Sequence, residues 1–101
     1  MTSKYLNSVG LAFRAGKCSV GEEKIVKDVQ NKRAKLVLIA SDIGPHTKKK
    51  LMDKCHTYEV PFAIVDDRHT LAHAIGKHQR VAIAILDAGF AAKISSLLSD
   101  Q

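Results

Sequence analysis

Two hydrophobic patterns alternate along this chain. Leu36 to Ala40, Val60 to Val65 and Val81 to Leu86 are short apolar runs without a charge in them. Runs of this length predict strands, and the lack of polar alternation in Leu36 to Ala40 and Val81 to Leu86 predicts that these two are covered on both faces. Elsewhere the apolar residues recur three or four positions apart, as in Leu6, Val9 and Phe13, or Ile25, Val26 and Val29. The same spacing returns in Leu51, Cys55 and Tyr58, in Leu71, Ala74 and Ile75, and in Phe90, Ile94, Leu97 and Leu98. Each set predicts a helix with one buried face.

The residues between these patterns supply starts and stops. Thr2 or Ser3 can cap the first helix, and Gly16 ends it. A short extended piece from Lys17 to Val20 leads to Gly21, where the second helix begins; it is expected to end near Lys32 or Arg33, whose charge suits a helix C-terminus. Gly44 and Pro45 read as an N-cap and first helical position. Pro61 places its strand at an edge of the sheet. Asp66 or Asp67 caps a short helix closed by Gly76, and Asp87 caps the last one. Strands alternating with helices of about ten residues predict a three-layer sandwich. The fold class is α/β: one domain over residues 1–101, with a central four-stranded mixed sheet between helical layers.

Charge changes the picture next. Lys and Arg outnumber Asp and Glu by 16 to 10, a net charge of +6 on 101 residues. That excess concerns partners and solubility rather than fold, and it favours a polyanion. Lys24, Lys27 and Asn31 recur at i, i+3 and i+7, forming a polar stripe opposite the apolar face of their helix. Lys48, Lys49 and Lys50 read as a solvated helix face with a supporting electrostatic role. If the strands 36–40 and 81–86 are parallel, the Lys77–Arg80 turn lies at the opposite sheet end from the Ser41–Pro45 loop, and the basic residues form two patches. With only five aromatic residues and no Trp, a surface that stacks a row of bases is not expected.

Other chemistries fail on spacing. Gly10 to Lys17 resembles a phosphate-binding loop, but five residues separate Gly10 from Gly16 where four are needed, and Cys18 replaces the hydroxyl that would ligate magnesium. His69 and His73 share a helix face without a third ligand nearby, and Cys18, Cys55 and His56 lack zinc-ligand spacing. Cys55 and His56 are adjacent on a helix, so they point ~100° apart and cannot act as a nucleophile–base pair. No metal, cofactor, catalytic centre or small-molecule substrate is expected. Neither a signal sequence nor a membrane span is visible, and two cysteines make no disulfide framework. A monomeric cytoplasmic protein follows.

The segment Ala40-Ser41-Asp42-Ile43-Gly44-Pro45 resembles the Ala-Glu-Asp-x-x-Pro turn of the ribosomal L-seven-Ae/L-thirty-e proteins, which bind kink-turn RNA. Cys55, Val60-Pro61 and Leu71-Ala72-His73-Ala74-Ile75-Gly76 continue the likeness, and Lys27 falls where that family places a helical lysine. The resemblance runs from about Val20 to Leu86 and is strongest to the family's small bacterial branch. It implies an α/β/α sandwich that recognises sharply bent RNA, ribosomal RNA among the candidates. By position, Gly21, Glu22, Glu23, Lys24 and Lys27 would meet guanines of tandem sheared G·A pairs, with Asn31 further along the stripe. Lys77, His78, Gln79 and Arg80 would cover a flipped-out nucleotide. The family's Asn-Glu pair falls on Glu23 and Lys24, and its apolar lid is replaced by Lys77-His78-Gln79-Arg80; both departures shift affinity from base contacts toward charge. The expected function is therefore non-enzymatic binding of structured RNA. The alternative is a protein-interaction domain of the same fold whose charge serves solubility.

Overall fold

The computed structural model describes residues 4–99. Helix α1 (Lys4–Arg14) is followed by β1 (Cys18–Val20), α2 (Glu22–Gln30), β2 (Leu36–Ile39), α3 (Pro45–Thr57), β3 (Phe62–Ile64), α4 (Arg68–His73), β4 (Ala82–Ile85) and α5 (Ala88–Ser99). The four strands form one mixed sheet in the order β1-β4-β2-β3. The expected Thr2 or Ser3 cap lies outside the described residues.

The two central strands carry the two uninterrupted apolar runs. All eight of their residues are buried, Val37, Leu38, Ile39, Ile83, Ala84 and Ile85 completely so. Alternation sorts their side chains: Leu36, Leu38, Ile83 and Ile85 pack with α1, α4 and α5, whereas Val37, Ile39, Ala82 and Ala84 pack with α2 and α3. The sheet is thus the middle of three layers, as expected. Each large aliphatic side chain buried here contributes about 1.5–3 kcal/mol of transfer free energy. Pro61 precedes the edge strand β3, and its carbonyl accepts from Val37 N at 3.0 Å, a bond that does not need the missing proline N–H.

Some boundaries differ from the sequence reading. The second helix stops at Gln30 rather than near Lys32 or Arg33. Lys32 takes φ 61, the left-handed conformation that closes a helix, and Arg33 N and Ala34 N both turn back to the Asp28 carbonyl. Asn31 is the C-cap, outside the helical stripe. Tyr58 is the half-buried C-cap of α3 rather than a core residue. Of the two candidate caps for α4, Asp67 accepts from Thr70 N at 2.8 Å, which together with the Thr70 hydroxyl holds its carboxyl below the usual carboxylate range. Asp66 instead accepts the buried Tyr5 hydroxyl of α1. Burial, reinforced by that bond, raises the phenol's pKa.

Strand direction is the consequential difference. β2 pairs parallel with β3, but β4 runs antiparallel to both β2 and β1. The start of β4 therefore lies beside the end of β2, with Ala82 opposite Ile39, and beside the end of β1, with Ile83 opposite Val20. The two-patch expectation fails for this reason. The turns after β1, after β2 and before β4 all meet at one end of the sheet.

Candidate nucleic-acid interface

Three short segments build this end. Gly21 leads into α2 with φ 92 and ψ 132, a conformation an L side chain rarely adopts, and its carbonyl accepts from Ile25 N at 3.0 Å. No side chain caps α2, so its first-turn N–H groups remain open to a ligand, with the carboxylates of Glu22 and Glu23 beside them. The 41–45 loop is held from both sides: Ala40 N donates to the Val81 carbonyl at 2.8 Å, and Ser41 N to the Asp66 carbonyl at 3.0 Å. Asp42 clamps the start of α4, accepting from Arg68 N at 2.8 Å and pairing with Arg68 Nε at 3.3 Å. The third segment follows Gly76, which closes α4 at φ 69.

Within that third segment Gln79 has φ 49. Lys32 and Glu59 also have positive φ, but each closes a helix; Gln79 belongs to a free turn. Strained backbone of this kind, away from a helix end, concentrates at binding sites. Arg80 donates to the His78 carbonyl at 2.9 Å, which stiffens the turn. A cleft of about 400 Å³ joins it to the start of α2, lined by Gly21, Glu22, Thr47, Gln79 and Arg80.

The expected residues are brought together unevenly. Gly21 and Glu22 share the cleft with Gln79 and Arg80. Glu23 and Lys24 are exposed on the first turn of α2, Lys27 is exposed in its last turn, and His78 is exposed on the facing turn. Lys24 approaches Asp28 at 3.7 Å, whereas Lys27 makes no ion pair among the described residues. Lys77 leans the other way, its Nζ 5.8 Å from the centre of the Phe13 ring on α1. Asn31 sits about 15 Å along the helix from Gly21 at 1.5 Å per residue, and does not join the cluster.

Two contributors come from α3. Thr47 lines the cleft, and Lys50 Nζ lies 2.9 Å from Glu22 Oε2. That contact holds the Glu22 carboxyl below the usual carboxylate range. It also offsets a negative charge that would otherwise repel phosphate. Lys49 pairs with Asp53 on its own helix at 2.9 Å, so the lysine triplet divides between a solvated face and the cluster. No spacing rule finds Lys50, because 28 positions separate it from Glu22.

Among the described residues no group of three His, Cys, Asp or Glu side chains could hold a metal ion. Burial pushes the Cys18 and Cys55 thiols up to about 11, far from a reactive thiolate. No helix in the described residues is long and apolar enough to cross a membrane.

Residues 3–95 match the model of the "Ribosomal protein L7Ae/L30e/S12e/Gadd45 family". The chain belongs to this family. The RNA-binding protein YlxQ of Bacillus subtilis (strain 168) is 48% identical over 90 residues, spanning 89% of this chain and 90% of that protein. A solved structure of a Bacillus halodurans protein superposes with a TM-score of 0.93 at 49% identity, covering 96% of this chain and 98% of that one. The Giardia lamblia 15.5kD RNA binding protein superposes with a TM-score of 0.77 at 22% identity, covering 91% of this chain and 85% of the other. At that lower identity the likeness concerns the fold alone. Family membership agrees with the resemblance carried by Ala40–Pro45 and Leu71–Gly76, and the bacterial relatives agree with its small branch.

Proposed function

We propose that this protein is a non-enzymatic RNA-binding domain that recognises kink-turn or similarly bent RNA, including ribosomal RNA, in the bacterial cytoplasm. The observation that carries this reading is the shared cleft between the start of α2 and the 77–80 turn. Antiparallel β4 brings two segments that are more than fifty residues apart in sequence to one edge of the molecule. A sharply bent duplex presents crowded phosphates and unpaired bases over a comparable width, and such RNA is read by shape rather than by a stacked row of bases.

Gly21, Glu22, Glu23, Lys24 and Lys27 form the first contact set in this proposal. The uncapped N–H groups of α2 and the two lysines attract the backbone, while Glu23 accepts hydrogen bonds from guanine edges. His78, Gln79 and Arg80 form the second set, over an extruded nucleotide. Lys77 supports the turn through Phe13 and adds charge.

A gel shift comparing a kink-turn RNA with the same duplex lacking its bulge tests the reading. Preferential binding of the bent RNA is expected. Equal or absent binding to both would instead favour a protein-interaction domain. With about four phosphate contacts, log K should fall against log salt with a slope of roughly −3. An affinity that ignores salt would remove the electrostatic part of the account.

A further inference from the structure

On the opposite face of the sheet from α2, α1 packs along α5, and the end of α4 approaches it from the other side. The close approach of α1 and α4 occurs at Gly10, where a Cβ would come within 2.8 Å of the Ala74 carbonyl oxygen. Above this contact runs a groove of about 450 Å³, lined by Asn7, Arg14, Thr70 and His73. A second cavity of about 360 Å³ shares Arg14 and His73 and extends to Phe13 and Gly76. Gly76 leads directly into the 77–80 turn, so the groove opens onto the interface described above.

Cationic and imidazole side chains predominate on the two helices beside it. Helix α1 carries Lys4 and Arg14, α4 carries Arg68, His69 and His73, and neither helix has an acidic side chain. Lys77, held over Phe13, adds a cation at the Gly76 end. Of the two carboxylates at the groove's other end, Asp66 accepts the Tyr5 hydroxyl and Asp67 accepts Thr70 N and the Thr70 hydroxyl. Asp42 is likewise paired with Arg68. The positive charge therefore lies toward Arg14 and Lys77, with the His73 ring beside Arg14.

We infer that the α1–α4 groove is a second anion site, which takes the phosphodiester backbone of an RNA strand leaving the Lys77–Arg80 turn. The inference rests on the RNA-binding reading and deepens it. From Asn7 to Arg14 the groove follows about 10 Å of helix, which is room for roughly two phosphates. Arg14 supplies a planar fork of donors suited to phosphate, with Asn7 and the His73 ring as additional donors. Gly10 keeps the helices close enough for both walls to reach one strand.

The test uses three RNAs: one trimmed to the bend, and two extended by several nucleotides at one end or the other. Fluorescence anisotropy should show one extension tightening binding by roughly threefold to tenfold, with a salt slope steeper by about 1. Arg14→Gln and His73→Gln should abolish that gain while leaving affinity for the trimmed RNA unchanged. Both side chains are exposed, so the variants are expected to fold. Variants that keep the gain, or extensions without effect on the wild-type protein, would overturn the inference and leave the groove to an acidic protein segment. Failure of the underlying reading shows elsewhere, as loss of preference for the trimmed bent RNA over straight duplex.

Discussion

The two ends of α2 differ in charge and in how that charge is held: Glu22 and Glu23 stand beside Lys24 at the start, whereas Lys32, Arg33 and Lys35 follow the end. At the C-terminal end, Lys32 donates to the Tyr58 carbonyl at the end of α3, Lys35 to the Lys32 carbonyl at 3.0 Å, and Arg33 approaches Asp28 at 3.9 Å. Asp28 is only 2% exposed, so its backbone and carboxylate anchor this whole turn. Within the helix itself the two lysines differ. Lys24 reaches the same Asp28 at 3.7 Å, Lys27 in the last turn has no ion pair among the described residues, and the helix has no side-chain cap. Lys27 is thus the lysine of α2 that the fold leaves without an ion pair among the described residues, and it is the one best able to meet an added anion. Counting lysines along the chain does not separate these cases.

Lys27→Ala should have the largest effect, weakening RNA binding by ~1–3 kcal/mol if the side chain meets a base and by less if it meets only phosphate. Isothermal titration with a kink-turn RNA reads this directly. Gly21→Ala should cost ~1–2 kcal/mol of folding stability, because the new Cβ is strained at φ 92 although nothing lies within 4 Å of it. A lowered chemical-denaturation midpoint with an unchanged slope is the expected signature.

At the other end, Arg33→Ala should cost at most about 1 kcal/mol of stability, the range of an exposed cation at an ion pair, and leave RNA affinity unchanged. Asn31→Ala should likewise alter RNA affinity by less than about 0.5 kcal/mol, as for a surface residue outside the interface. A large loss of binding from either variant would erase the distinction between the two ends.

The smallest effect sharpens the role of α3. Because Lys50 hydrogen-bonds Glu22, the carboxyl titrates below its ordinary range. A carboxyl with a depressed folded-state pKa adds stability above its unfolded value, and that contribution is lost as the pH falls through the folded value. Following Glu22 by NMR, Lys50→Ala should move its titration up toward the ordinary glutamate range. An unmoved titration would show that the contact does not persist in solution.

Much of the architecture was legible from local pattern. The uninterrupted runs Leu36–Ala40 and Val81–Leu86 became the two buried central strands, and Pro61 marked the edge strand. Gly16, Gly44-Pro45, Asp87 and Gly76 stopped or started helices as their chemistry dictates. Asp87, for example, accepts from Phe90 N at 2.9 Å. The end of α2 was misplaced because Lys32 and Arg33 suit a helix C-terminus electrostatically. The actual closure depends on Lys32 taking a left-handed conformation, which its side chain does not announce. Glycine at residue 10 looked like part of a failed phosphate loop, and only the position of Ala74 explains it.

The sequence by itself determined the class of fold, the elements, the family resemblance and most of the residues that cluster at the candidate interface. Only the tertiary structure decided that they form one cluster. An apolar strand reads the same in either direction, since its two-residue period has no polarity. Nothing in Val81–Leu86 could therefore say that β4 runs against β2 and carries the 77–80 turn to the start of α2. Pairing across the sheet settled that, and with it which lysines remained without partners.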